Sequence, residues 1–381
     1  MATDLTILCA GGGTGGHLFP ALAVAEVIRT QRPSARIRFL CSDRPIDARI
    51  MSAAKLHGEP VDFEPVPAKP FGVRPRGAWR FLEGWGASIR AGRSAIRAAK
   101  KDGPVVVASF GGFVAAPSVQ AARAERIPVI AANLDATPGL ANRWIGKHAD
   151  RVLTTIPAEG RDWEVIGPIV RAAARAPGPP AACRERFGLD PSRATLLVTG
   201  ASQGAGTIND LMLAFLTRHG PLLAEGQWQV IHQTGPGTET RDPALELAAA
   251  YKAASIPAHV SPFIDAMGAA WGAADCAVSR AGAGSVAEAW ANGVPTLFLP
   301  YPFHRDQHQK KNAAPLVDAG AAVMCADLID PTRNIEDAGT VLRGLIADPA
   351  VRGRLAGNLG KLGEARGAEA MAAAVLAAAG A

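Results

Sequence analysis

The sequence predicts an α/β protein built from two Rossmann-like halves, each a parallel sheet covered by helices on both faces. Short apolar runs alternate with helical patterns along almost the whole chain, which is how successive βαβ units read. Each half opens with a strand that enters a glycine-rich turn, Gly11 to Gly16 in the first and Gly200-Ala201-Ser202-Gln203-Gly204-Ala205-Gly206 in the second. Between them, Arg171 to Ala182 is rich in Ala and Pro and reads as a linker. At 381 residues the chain exceeds one typical core, so two domains are expected. Two such halves facing each other form a cleft between their strand C-terminal edges, where sheets of this kind bind ligands.

The elements follow in order. Strands are expected at Leu5–Ala10, Ile37–Cys41, Val105–Ser109, Val129–Ala132 and Val152–Thr154, each a short apolar run. Helices between them are expected at His17–Thr30, Ala87–Lys100, Ala115–Ala124 and Leu140–Lys147. The second half repeats the pattern, with strands at Thr195–Thr199, Gln229–Gln233, around Val260, Cys276–Ser279, Thr296–Leu299 and Ala322–Met324. The Ala-rich tail from Ala368 reads as a packed helix.

Composition narrows the class. Nearly half of the residues are apolar, so burial is not limiting. Five cysteines, Cys9, Cys41, Cys183, Cys276 and Cys325, show neither CxxC nor Cys/His ligand spacing, which predicts reduced thiols in a cytosolic protein rather than disulfides or zinc. The opening apolar run leads straight into a glycine turn, so no signal peptide is expected, and no uncharged run has membrane-span length. The net charge of +6 is uneven. From Lys69 to Lys101 there are nine basic residues against one acid, Glu83, a local excess of +8, interleaved with Phe71, Val73, Trp79, Phe81, Leu82 and Trp85. That composition fits contact with an anionic lipid surface, and equally a solvated helix whose aromatics pack inward. No nucleic-acid motif accompanies it.

The residues with the most chemistry lie in the second half. Ala281-Gly282-Ala283-Gly284-Ser285-Val286-Ala287-Glu288 sits between two strands and reads as a small-residue turn that opens a helix. The unpaired N–H groups and positive dipole end of such a helix suit a diphosphate, and Glu288, one turn in, suits ribose hydroxyls. Ser285-x-x-Glu288 is also capping-box spacing, so helix capping stays an alternative. Gln309 and Asn312 are three apart on one helix face and carry the groups that sugar hydroxyls need. Together they indicate a nucleotide-sugar site. In the first half, Gly11-Gly12-Gly13-Thr14-Gly15-Gly16-His17 contains G-x-G-x-x-G, although Asp43 lies further on than a dinucleotide fingerprint places its acid. His17, at a helix start, favours neutral imidazole and so could accept a proton; capping or packing is the competing role.

These motifs, taken in order, resemble one family. Gly12-Gly13-Thr14-Gly15-Gly16-His17 with Pro20, Gly111-Gly112-Phe113-Val114, Gly139-Leu140-Ala141-Asn142, Ser202-Gln203-Gly204-Ala205, His232-Gln233-Thr234-Gly235, Phe263-Ile264-Asp265-Ala266-Met267 and the Arg280–Asn312 block look like the MurG family. The resemblance implies a GT-B fold and an inverting transfer of N-acetylglucosamine from UDP-N-acetylglucosamine to undecaprenyl-diphospho-muramoyl-pentapeptide. It also implies a peripheral place on the cytoplasmic face of the membrane. An acceptor and membrane-side domain is expected at 1–168, a UDP-sugar domain at 169–361, and a C-terminal helix at about 362–381 that packs back on the first. By motif, His17 would be the base and Thr14, Gly15 and Gly16 would line the cleft. Arg171 and Ser202 would meet the diphosphate, and Ile264 would border the uracil. Ala283, Gly284 and Ser285 would present N–H groups, Glu288 would hold the ribose, and Gln309 and Asn312 would read the sugar. Phe71, Trp79, Phe81 and Trp85 fall where the family has its membrane patch. The family's Glu-Gln-Asn is Asn133-Leu134-Asp135 here, and its usual Tyr is Phe113. Asp135 thus brings a carboxylate close to the donor cleft and is the next candidate base.

No Asp-x-Asp pair is present to hold a metal, so no cofactor is expected to be required, with a divalent cation stimulatory at most. The competing functions are a UDP-sugar glycosyltransferase with another lipid acceptor, a UDP-N-acetylglucosamine 2-epimerase, an NAD-dependent oxidoreductase and a non-catalytic sugar-nucleotide sensor.

Overall fold

The computed structural model describes residues 5–70, 75–200, 204–303 and 307–380, with backbone alone at 75–78 and 80. The chain divides into two compact units, 1–171 with 365–381, and 172–364.

The first unit contains the strands β1 (Thr6–Ala10), β2 (Arg36–Ser42), β3 (Lys55–Leu56), β4 (Glu59–Pro60), β5 (Asp62–Val66), β6 (Val105–Ser109), β7 (Val129–Asn133), β8 (Arg151–Thr154) and β9 (Glu164–Val165). β3 and β4 form a small antiparallel hairpin, and the rest make one parallel sheet in the order β5-β2-β1-β6-β7-β8-β9. β1 and β6 are buried at every position, as expected of central parallel strands covered on both faces. β5 escaped the sequence reading because its exposure is mixed and Pro65 interrupts it; both suit its place at the sheet edge.

Helices Gly15–Gln31, Pro45–Ala53, Pro75–Ala99, Gly112–Ala124 and Leu140–Ile145 join these strands. Pro75–Ala99 begins well before the expected Ala87. The C-terminal helix Gly367–Ala378 packs on Gly15–Gln31. Gly367 makes that return possible: its N–H donates to the Pro168 carbonyl at 3.0 Å, and a Cβ there would lie 2.3 Å from the Gly167 carbonyl oxygen.

The second unit contains β10 (Ala194–Thr199), β11 (Trp228–Gln233), β12 (Ala258–Ser261), β13 (Cys276–Ser279), β14 (Thr296–Phe298) and β15 (Val323–Met324), all parallel in the order β12-β11-β10-β13-β14-β15. This is the 3-2-1-4-5-6 order of a doubly wound nucleotide-binding sheet. The stretch read as a linker is not wholly irregular, since Pro180–Glu185 is helical with Pro180 at its start, where a missing N–H costs nothing.

Both sheets reverse direction of winding at one place, between β1 and β6 and between β10 and β13. The registers pair Ala10 with Ser109 and Thr199 with Ser279. In each unit the glycine-rich loop and its neighbour therefore leave the sheet side by side, at the switch point where such sheets bind ligands. All five cysteines are buried and free. Among the described residues no helix is long and apolar enough to cross a membrane.

Candidate active site

At the first switch point the loop after β1 carries His17. Gly13 has φ 88°, and a Cβ on it would lie 2.4 Å from the Phe113 ring, so both conformation and space require glycine. Asp47, fully buried on Pro45–Ala53, anchors the loop. Its Oδ2 accepts the Gly13 N–H at 2.7 Å, the Ser42 N–H at 3.0 Å and the Ser42 hydroxyl at 2.6 Å. The Arg44 guanidinium donates to the Gly13 carbonyl at 3.1 Å and lies 5.0 Å from the Phe113 ring centroid. Thr14 holds the N-cap position, yet its hydroxyl contacts His17 Nδ1 at 3.2 Å instead of capping the backbone. Gly15 is half-buried and Gly16 exposed.

The His17 ring packs on Gly112, where a Cβ would lie 3.2 Å from Nδ1. Burial lowers the His17 pKa. The negative charges of Asp135 and Asp47 and a hydrogen bond donated by the ring to the Gly12 carbonyl oppose that shift without cancelling it. The imidazole is therefore neutral near pH 7, as a proton acceptor must be. The Asn133-Leu134-Asp135 segment is pinned by Asn133, whose Nδ2 donates to the Asp135 carbonyl at 2.7 Å and to Thr154 Oγ1 at 3.0 Å. Asn142 donates to Asn133 Oδ1 at 3.1 Å. Arg171, expected at the diphosphate, belongs to the first unit, where its Nε lies 3.4 Å from Glu26 Oε1 and its guanidinium 5.6 Å from the Phe19 ring.

At the second switch point the helix Ala283–Asn292 starts with Gly282 as N-cap and no side-chain cap. The capping-box alternative is thereby overturned: Ser285 lies inside the helix, buried, and the Glu288 carboxylate accepts the Trp271 indole N–H at 2.8 Å. Burial raises the Glu288 pKa to about 7, with the Trp271 donor acting in the opposite direction. Nothing lies within 4 Å of where a Cβ on Gly282 or Gly284 would sit, and Gly282 has φ −65°, open to any residue. The fold itself does not demand glycine at either place. The first amides of the helix are thus uncapped and unobstructed.

Around this turn, the Ile264 N–H donates to Gln233 Oε1 at 3.1 Å. Gln309, on His308–Asp318, accepts the Tyr301 N–H at 2.9 Å, while Asn312 on the same helix is fully buried. Only Gln309 of that pair reaches the partly exposed face. Ser202 and Phe71 lie outside the described residues.

Sequence reasoning missed Arg280. Buried beside the turn, it donates to the Leu299 carbonyl at 2.9 Å, Asp327 Oδ2 at 2.7 Å and Thr207 Oγ1 at 2.7 Å. It ties together the segments that follow β10, β13, β14 and β15, and Asp327 compensates its charge. Asp47 was missed too; an acid soon after a Pro that opens a helix was the available signal.

The basic stretch forms Pro75–Ala99 and splits by side chain. Trp85 packs inward, edge-on to Trp144 at 5.7 Å, and Phe81 is half-buried 5.4 Å from Trp85. Trp79 and Leu82 stand 70% and 63% exposed.

Comparison with known proteins agrees with this geometry. The model of the glycosyltransferase family 28 N-terminal domain matches residues 7–154, and that of the family 28 C-terminal domain matches 195–339. Two uncapped switch-point sites on paired nucleotide-binding sheets, with those matches, define a glycosyltransferase of family 28. A Pelobacter propionicus protein named UDP-N-acetylglucosamine--N-acetylmuramyl-(pentapeptide) pyrophosphoryl-undecaprenol N-acetylglucosamine transferase is 32% identical over 387 residues, covering 95% of this chain and 97% of that protein. A Mycobacterium ulcerans protein of the same name is 36% identical over 360 residues, covering 91% and 84%. A crystal structure of Acinetobacter baumannii MurG aligns with a TM-score of 0.72 at 25% identity, covering 98% of this chain and 99% of that one. The chain belongs to the MurG family. The transferase names of these relatives weigh against the epimerase alternative.

Proposed function

We propose that this enzyme moves N-acetylglucosamine from UDP-N-acetylglucosamine to undecaprenyl-diphospho-muramoyl-pentapeptide, with inversion at the anomeric carbon. The observation that carries the donor half is the uncapped start of Ala283–Asn292 with two glycines that the fold does not need. Its N–H groups and dipole suit the diphosphate. Glu288 accepts from the ribose hydroxyls, Ile264 borders the uracil, and Gln309 reads the sugar, with Asn312 shaping the wall behind it. Arg171 and Ser202 add contacts to the diphosphate.

The acceptor hydroxyl oxygen attacks the anomeric carbon, the bond to the diphosphate oxygen breaks, and UDP leaves with the electron pair. His17 takes the hydroxyl proton as general base, with Thr14, Gly15 and Gly16 beside the reacting groups and Asp135 contributing negative charge. The departing charge meets backbone N–H groups, so no metal is required. Labelled UDP-N-acetylglucosamine with a polyprenyl-diphosphate muramoyl-peptide tests this, in EDTA and in magnesium. Labelled disaccharide-lipid in both supports it. Epimerised UDP-sugar, or no product, rejects it.

A lipid-linked acceptor places the enzyme at the cytoplasmic membrane surface. The exposed Trp79 and Leu82, within the +8 stretch, supply insertion, and its basic residues supply attraction at roughly 1 kcal/mol each near an anionic surface. Wild type is expected to co-sediment with anionic vesicles, less so at high salt, and Trp79→Ser/Leu82→Ser to lose most of that binding. Equal partitioning of the two proteins removes the lipid role.

A further inference from the structure

Asp47 is fully buried, and only one of its oxygens is used: Oδ2 takes three hydrogen bonds, whereas Oδ1, also buried, has no hydrogen-bond partner. The carboxylate presses on the glycine loop, since a Cβ on Gly12 would lie 2.4 Å from Oδ2. Gly112 lies against both the Gly12 carbonyl and the His17 ring, and Gly11 lies against the His17 backbone and Cβ. A buried carboxylate without a paired cation is costly, and here only the three donors to Oδ2 offset that cost. The charged groups that face His17 are Asp47 from Pro45–Ala53 and Asp135 from the loop after β7, and both favour its protonated form. Arg44, the neighbouring cation, is committed to the Gly13 carbonyl.

We propose that Asp47 is a positioning residue for His17, pinning the glycine loop that carries the imidazole and stabilising the imidazolium formed when it takes the acceptor proton. This rests on reading His17 as the general base. The imidazole starts neutral in a half-buried site, and the proton it receives creates a cation there. A fixed negative charge across the loop lowers the energy of that product and of the transition state leading to it.

The test combines kinetics of Asp47→Asn, Asp47→Glu, His17→Ala and the His17→Ala/Asp47→Asn double variant. Asp47→Asn keeps the size and loses the charge. Its kcat is expected to fall roughly tenfold or more, a fraction of what a general base contributes, with KM for UDP-N-acetylglucosamine unchanged. The acid limb of its kcat–pH profile moves down by roughly one unit, because one of two anions facing the imidazole is gone. Asp135 keeps its charge in every variant, so this shift reports Asp47. Asp47→Glu restores the limb, and the double variant is no slower than His17→Ala alone. Equal losses from Asp47→Asn in both backgrounds, or an unmoved limb, would overturn the proposal while leaving His17 as base. Near-normal turnover of His17→Ala removes the base reading and this inference with it. If Asp47→Asn does not fold, Ser42→Ala decides. It removes the hydroxyl donor to Oδ2, strengthens the field at His17, and moves the limb up; an unmoved limb there overturns the proposal.

Discussion

Turnover of a His17→Ala variant is expected to fall by about 100- to 10,000-fold, the usual worth of a positioned general base. UDP affinity should stay close to the wild-type value, since apart from Arg171 the groups proposed to hold the nucleotide lie on the second unit, after β10, β12 and β13. The split between kcat and binding carries the information. A side chain serving only to pack the loop would, when removed, disturb folding and leave kcat of the folded fraction unchanged. His17 fits the base role because its position resolves two conflicting demands. Partial burial against Gly112 keeps it neutral and ready to accept. The anions Asp47 and Asp135 keep the protonated form accessible. Steady-state kinetics beside calorimetric UDP titration checks this, and near-normal turnover in a folded variant would move the base elsewhere, with Asp135 next in line.

The second large effect is expected at Glu288. Glu288→Gln should weaken UDP itself by roughly tenfold or more, because a carboxylate accepts hydroxyl donors about twice as strongly as a neutral amide. Wild-type affinity should also decline as pH falls through about 7, where burial places the Glu288 pKa. The Gln variant should lack that limb, which separates it from titration of the UDP phosphates. Stability runs the other way. The folded pKa lies above the ordinary 4.5, so the native state binds the extra proton between about 4.5 and 7 and stability declines as pH rises through that window. At pH 8 the Gln variant should therefore melt higher than wild type while binding UDP worse, the trade expected where function keeps an unfavourable charge in place. Equal UDP affinity in wild type and variant across pH 6 to 8 would leave Glu288 as a partner of Trp271 alone.

Much of this was legible in the sequence, for physical reasons that differ by element. The central strands β1, β6, β10 and β13 stood out because strands buried on both faces must be continuously apolar. The glycine loops stood out because a loop entering a helix at a switch point needs small residues. The edge strands of the first sheet were not legible: β5 and β9 are largely exposed and polar, and their pairing comes from the sheet beside them. Within the site, residues that would touch substrate lay in compact motifs. Those that hold the motifs, Asp47 with Gly13 and Arg280 with Asp327, are joined across the fold and leave little local pattern. The Ser285–Glu288 spacing misled for a related reason. A capping box needs Ser at the N-cap, and the helix begins two residues earlier, at Ala283.

The donor site rests on one physical claim, that Gly282 is glycine for the ligand's sake and not for the fold's. UDP titration by calorimetry of Gly282→Ala beside wild type, with thermal melts of both, tests it most directly. A Cβ there meets nothing within 4 Å and its φ of −65° suits alanine, so the fold should lose no more than the difference between N-cap residues, about 1 kcal/mol or less. The account predicts a folded variant with a melting temperature within a few degrees of wild type and UDP affinity reduced by about tenfold or more, the cost of roughly 1.4 kcal/mol in lost phosphate contact. Wild-type UDP affinity in the folded Gly282→Ala protein would contradict it, and would move the diphosphate away from the start of Ala283–Asn292.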